Sequence, residues 1–278
     1  MKKLSKLTAV VLALALLCSV SANASVVAEL TQEEILELIM SGDNYLVGDG
    51  VPFDNPNDSG ITPLWTAGGS NHTHQYILSY GFNILYNDYP SAYNWYISLG
   101  AVPYVLEGSD LPDDDEKDNS FAGHFYNPNT GKNYQGTTDT AKSRFFARYE
   151  QAVFYYESGQ YAKAWEYLGR AIHYLEDMNA THHTANLIAI GSNHMTFEQQ
   201  IDRNRTRYTA TTAMGKYTAS ISSIPDICAI NALNQLEDAT SAEDLTTFEP
   251  WLRAGDNTVP VAMQYVAVVL HKFQQEVS

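Results

Sequence analysis

The spacing His173-x3-Asp177, repeated as His194-x3-Glu198, constrains this 278-residue chain more than any other feature. In a strand, residues four apart are separated by about 13 Å. On a helix they share one face, one turn apart, and can grip a single object. With His183 included, five metal-competent side chains fall within residues 173 to 198. Imidazole nitrogens and carboxylate oxygens so arranged are what zinc accepts when no thiolate is offered.

Cysteine usage supports that donor set. The chain holds only Cys18 and Cys228. Lys2, Lys3 and Lys6 precede the apolar run Thr8 to Leu17, and Ala22-Asn-Ala24 supplies a small-residue cleavage pattern. Residues 1 to 24 therefore read as a secretory signal peptide, which predicts a secreted, extracellular product in which Cys228 is a lone thiol. A disulfide framework and a thiolate metal site are both excluded.

Residues 25 to 64 carry eight Asp or Glu and no Lys or Arg, and Gly42, Gly48, Gly50, Pro52, Pro56, Gly60 and Pro63 break them repeatedly after a short helix expected at 31 to 40. That is the chemistry of a linker or propeptide. From Trp65 onward 13 basic face 24 acidic residues, a balance of −11. Such a surface argues against nucleic acid as a partner, because phosphate backbones need concentrated Lys and Arg. A small phosphate-bearing substrate remains compatible, since bound zinc inverts the local potential.

After Trp65, Ile, Val and Tyr recur at spacings of three and four rather than two, so residues 65 to 278 are expected to form one all-α domain. Helices are expected at about 72 to 87, 138 to 157, 161 to 179, 193 to 219 and 256 to 275, with a long loop from about 101 to 137 that contains Pro103, Pro112 and Pro128.

Trp65, His74-Gln-Tyr-Ile, Phe121-Ala-Gly-His124-Phe-Tyr-Asn-Pro-Asn-Thr-Gly-Lys, His173-Tyr-Leu-Glu-Asp177-Met-Asn with His183-Thr-Ala-Asn, and His194-x3-Glu198 stand in one order. In that order they resemble the bacterial zinc-dependent phospholipase C family, of the type that hydrolyses phosphatidylcholine. The resemblance implies an all-helical catalytic domain with a cleft for three zinc ions. His124 and His173 resemble the ligands of one zinc, and Asp177 resembles the bridge to a second held by His74 and by the N-terminal amine and carbonyl of a tryptophan, here Trp65. His183, His194 and Glu198 resemble the ligands of the third. Asp113, in Leu-Pro-Asp, is the expected acidic metal ligand and general base, with Asp110 as the alternative, and Phe121 is the expected headgroup contact.

A tryptophan amide inside the chain has no lone pair to give a metal, whereas a new N-terminus does. Residues 25 to 64 are therefore expected to be a propeptide that a protease removes before Trp65. The resemblance also implies a phospholipid substrate met at a membrane surface, and a monomer. The rival readings are a zinc-dependent single-strand nuclease or phosphodiesterase, and a secreted zinc-binding module without turnover. His182 is expected to face solvent beside His183, His72 to be a neighbour of His74, and His271 to be structural.

Overall fold

The computed structural model describes residues 72–243 and 246–278. The expected signal peptide, the helix at 31 to 40, the propeptide and Trp65 lie outside the described residues. Within them the helices run α1 (Thr73–Asp88), α2 (Pro90–Ser98), α3 (Val102–Asp115), α4 (Asp118–Phe121), α5 (Ala141–Glu157), α6 (Tyr161–Asp177), α7 (Thr181–Thr184), α8 (His194–Arg203), α9 (Ile224–Leu233), α10 (Leu236–Thr240) and α11 (Glu249–Val277). The described residues form no strand beyond a single antiparallel bridge between Asn127 and Lys132. The all-α expectation holds.

The helices start where local chemistry favours a start. Thr140 and Ser143 close a capping box ahead of α5, and proline occupies the first turn of α2, α9 and α11. The long α11, of 29 residues, lays Val259, Ala262, Met263, Val266, Val269, Leu270 and Phe273 into the core with none of them exposed. It packs along α1, where Gly81 lets the two backbones approach beside Val266. Each fully buried Val, Leu or Phe of this seam contributes roughly 2 kcal/mol.

Helix α6 is the centre of the fold. It packs against both α3 and α5, and every residue from Leu168 to Asp177 is buried. A helix buried on all sides has no solvent for its polar side chains, so His173, Glu176 and Asp177 have to find partners inside.

The expected loop at 101 to 137 is corrected in its first half, where α3 stands. Pro112 lies inside this helix, and the proline-based reading failed because one lost N–H bond is outweighed by packing on α6. Gly108 and Gly169 face each other at that crossing. A Cβ on Gly169 would meet Val105 O and lie 2.8 Å from Gly108 Cα, so the neighbour is backbone and cannot swing aside. Gly169→Ala is therefore expected to destabilise the domain by about 2 kcal/mol or more, measured as a lowered urea midpoint with an unchanged slope.

The helix expected at 193 to 219 is shorter, ending at Arg203. A single 3-10 turn, Arg205–Arg207, follows, and Asp88 then draws the next segment back to the end of α1 by accepting hydrogen bonds from Thr212 Oγ1, Ala213 N and Tyr217 Oη. Three bonds to one half-buried acceptor outcompete weak helix formers such as Thr209, Thr211 and Thr212. Unforeseen α2, α9 and α10 complete the bundle.

Candidate metal centre

Five elements converge at one end of α6. Helix α6 carries His173, Glu176 and Asp177, α3 carries Asp113, α1 carries His74, α7 carries His183, and α8 carries His194 and Glu198. His124 ends a 3-10 turn entered through Ser120 and Phe121, both in the left-handed region at φ 55° and 62°. Such backbone costs about 1 kcal/mol or more per residue. Here it turns the chain abruptly enough to aim His124 at α6.

Four donor atoms form the tightest group. His124 Nδ1, His173 Nε2 and Asp177 Oδ2 lie 2.9, 3.1 and 3.3 Å from one another, and Asp113 Oδ1 is 3.6 Å from both nitrogens. Ligands of a tetrahedral zinc site with bonds of about 2.0–2.1 Å are separated by about 3.3 Å. The spacing fits. On the other side His194 Nε2 and His183 Nε2 stand 2.7 and 3.2 Å from Glu198 Oε1. His74, Asp113 and His173 form a further group, so that each of three sets of buried residues offers donor atoms within 4.8 Å of one another.

The backs of the rings are fixed as well. His173 Nδ1–H donates to the Ser109 carbonyl at 2.7 Å, which leaves Nε2 as its lone-pair nitrogen. His183 Nδ1–H donates likewise to the His124 carbonyl at 3.0 Å, and Phe125 stacks on its ring at 4.7 Å. Asp177 ties the groups together: Oδ2 faces His124 and His173, while Oδ1 faces His183 Nδ1 at 3.0 Å.

Burial and charge pull the titrations apart. Burial lowers the His173 and His183 pKa, but Asp177, with Asp113 for His173 and Glu198 for His183, overrides it and lifts them to about 9 and about 10. Burial raises Asp177 and Glu198, yet the surrounding histidines hold both well below the usual carboxylate range. Burial pushes His74 down, with His173 adding to it, and pushes Asp110 up to about 8. Asp110 accepts from Gln75 Nε2 and belongs to none of the three ligand groups, whereas Asp113 belongs to one.

The other expectations fare differently. Phe121 is 7 % exposed with its ring edge on His124 at 5.5 Å. His182 does not face solvent: it is fully buried, stacks on His194 at 5.1 Å, and shares a 2.9 Å hydrogen bond with Asn193 Oδ1, because α7 is one turn long and turns both of its histidines inward. His72 lies beside His74 at the start of α1 and is itself buried. His271 stacks on Tyr89 at 4.0 Å in a structural role. Sequence reasoning missed Glu176, whose carboxylate accepts from His74 Nδ1–H at 2.7 Å. Its only sequence signal was an acid in a helical turn that also had to be buried.

A second polar layer lies behind the ligands. Glu116, at the end of α3, accepts from Arg148 Nε and Nη2 at 3.0 and 2.6 Å, from Arg170 Nη1 at 2.7 Å and from Tyr174 Oη at 2.7 Å. Burial raises its pKa, but the bonds from Arg148, Tyr174 and Arg170 override it and hold Glu116 at about 2, below the ordinary 4.5. A depressed carboxylate adds stability that is present above the unfolded value and lost as pH falls through the folded one. Glu116→Gln is thus expected to cost roughly 2 kcal/mol at pH 6, with the difference from wild type shrinking between about pH 4.5 and 2, read from denaturant midpoints of zinc-free protein.

An all-helical bundle whose buried end gathers imidazoles and carboxylates defines the class of protein: a helical protein with groups of histidines and carboxylates that could hold metal ions. The comparisons with known proteins go further. The family model described as zinc dependent phospholipase C matches residues 73–243, and the chain belongs to that family. It is similar to a phospholipase C of Paraclostridium bifermentans, 24% identical over 240 residues covering 74% of this chain and 59% of that protein. It is also similar to one of Clostridium perfringens strain 13, 30% identical over 163 residues covering 51% and 40%, and to one of Bacillus cereus, 28% identical over 181 residues covering 59% and 64%. Among solved structures, the alpha toxin from Clostridium absonum superposes with a TM-score of 0.67 at 25% identity, over 74% of this chain and 64% of that one. The chain thus spans 40% to 64% of the length of these three relatives.

Proposed function

We propose that this protein is a secreted zinc-dependent phospholipase C that hydrolyses phosphatidylcholine-type phospholipids to diacylglycerol and a phosphorylated headgroup. The observation that carries this reading is the convergence of three buried histidine and carboxylate groups in a member of the phospholipase C family. The donors fit zinc, being imidazole and carboxylate throughout. His124, His173, Asp177 and Asp113 would hold one ion, and His183, His194 and Glu198 another. His74 would hold a third together with the amine and carbonyl of Trp65. Zinc at these positions supplies Lewis-acid polarisation of the phosphoryl oxygens and lowers the pKa of a water from about 15.7 toward 7.

The chain's own side chains then have distinct tasks. Asp113 Oδ1, 3.6 Å from His124 Nδ1 and His173 Nε2, stands where it can accept a proton from the attacking water. The water oxygen bonds to phosphorus, the bond from phosphorus to the glycerol oxygen breaks, and a proton passes to that oxygen to give diacylglycerol. Asp110, pushed up to about 8, keeps its proton near neutrality and is the poorer acceptor. Phe121, whose ring lies 5.5 Å from that of His124, would be the headgroup contact.

The rim supports a lipid substrate over a nucleic acid. The segment between His183 and His194 exposes Ile190 by 70%, and α8 exposes Met195 by 39%, so apolar side chains stand beside the ligands. The deciding experiment supplies phosphatidylcholine vesicles and single-stranded DNA to the purified protein with and without chelator. Chelator-sensitive release of diacylglycerol without DNA cleavage is expected. Cleavage of DNA alone would establish the nuclease reading, and zinc binding without either activity the non-catalytic one.

The protein is further read as a monomer, activated when a protease exposes Trp65. Its amide nitrogen cannot bind metal while the chain continues, whereas a terminal amine can. Protein beginning near Ser25 is expected to be at least about tenfold less active than protein beginning at Trp65, a difference of about 1.4 kcal/mol or more. N-terminal sequencing of the active secreted form checks this. Full activity with residues 25 to 64 intact would end the zymogen reading and leave the histidine groups untouched.

A further inference from the structure

Each histidine in the cluster needs its outer nitrogen settled before its inner one can bind a metal, and the described residues settle them in different ways. His173 leans on the neutral backbone carbonyl of Ser109, and His183 Nδ1 faces both the His124 carbonyl and Asp177 Oδ1 at 3.0 Å. His74 leans on a carboxylate, with its Nδ1 2.7 Å from Glu176 Oε2 and both residues excluded from solvent. Glu176 lies outside the three ligand groups. On α6 it follows His173 by three and precedes Asp177 by one, so it leaves the helix in another direction from the ligand Asp177.

The environment of Glu176 argues for a purpose. Its other oxygen, Oε1, has no hydrogen-bond partner among the described residues. A buried carboxylate with half of its acceptor capacity unused weakens a fold relative to an apolar side chain of the same size. What it does provide is orientation. By accepting the Nδ1 proton it fixes the His74 tautomer with the lone pair on Nε2, holds the ring plane, and makes that nitrogen more basic. The ring also stacks on His173 at 4.1 Å, so its tilt is held from a second side.

We propose that Glu176 is a positioning residue for His74, and that the hold of the His74 group on its metal ion depends on this acid outside the ligand set. The proposal rests on the metal-centre reading above. The same acid should make the His74 ring more sensitive to loss of its outer partner than the His173 ring, whose partner is the Ser109 backbone and cannot be mutated away.

The test uses the full zinc-loaded chain and its Glu176→Ala and Glu176→Gln variants, titrated with a chromophoric chelator while bound zinc is counted per chain. The Ala variant is expected to give up one zinc equivalent at about 10- to 100-fold weaker chelation while the remainder is held as in wild type. The Gln variant, which keeps an acceptor for the ring N–H but loses the charge, should fall between them. Thermal unfolding of the zinc-free forms separates positioning from mere packing: the zinc-free Ala variant should unfold at or above the wild-type temperature. Identical zinc release in wild type and both variants would overturn the proposal and leave the metal-centre reading standing. A wild-type chain that holds no zinc would remove both. Should the Ala variant fail to fold, the Gln variant decides alone, and wild-type release from it would count against Glu176.

Discussion

Asp177→Asn is expected to lower phospholipid turnover at least about a thousandfold, equivalent to about 4 kcal/mol of transition-state stabilisation, while helical content stays near wild type. Asp177 is 1% exposed, and its two oxygens face three histidines that come from three separate elements: His124 from the 3-10 turn, His173 from α6 and His183 from α7. Asparagine fills the same volume, so the core survives. It replaces one anionic oxygen with an amide that points two hydrogens at a site built to receive a cation, and it removes the negative charge that offsets the two raised histidines. His271→Ala serves as the contrast. That ring stacks on Tyr89 and meets Tyr217 edge-on, outside the three donor groups, so its loss should touch stability and leave turnover close to wild type. Turnover above about a tenth of wild type in Asp177→Asn would remove Asp177 from the ligand set.

The clustered histidines were legible because their chemistry is local. His173 and Asp177, or His194 and Glu198, need only one helical turn to meet, and helical periodicity is the strongest signal a sequence carries. What the sequence did not disclose depends on contacts between elements. Helix α3 is concealed by Pro112, which lies inside it and locally opposes a helix. Only the Gly108–Gly169 crossing explains why it forms and why Asp113 reaches His124. Glu176 looked like one more acid in a charged turn until burial left His74 as its partner. His182 was misplaced for the same reason. Next to a ligand on a helix of ordinary length it would turn outward, whereas α7 is only four residues long and packs both of its histidines inside. Along α8, apolar spacing persisted in the sequence past the point where Asp88 captures the chain. Local patterns therefore located the donors, while long-range packing determined which donors meet.

Stripping zinc is expected to end activity and to lower the melting temperature by about 10 °C or more. Asp113, Asp177 and Glu198 are at most 5% exposed, and they pair with histidines. Imidazoles neutralise these acids only by carrying protons, which is why the carboxylates hold His173 at about 9 and His183 at about 10. Zinc takes over that neutralisation, so its uptake at neutral pH should release protons into a weakly buffered solution, and acidification should expel it as the histidines reclaim them. At a thousandfold excess over its dissociation constant, one bound ion adds about 4 kcal/mol. At 2–4 °C per kcal/mol for a domain of roughly 200 residues, that alone gives a shift of about 10 °C. Zinc added back should restore both temperature and rate. Magnesium should restore neither, because it prefers octahedral oxygen coordination and binds imidazole poorly. Calorimetry beside a vesicle assay, before and after chelation, makes the comparison. An unchanged melting temperature and rate in fully chelated protein would mean that the histidine and carboxylate network neutralises itself, and the metal reading of the cluster would have to be given up.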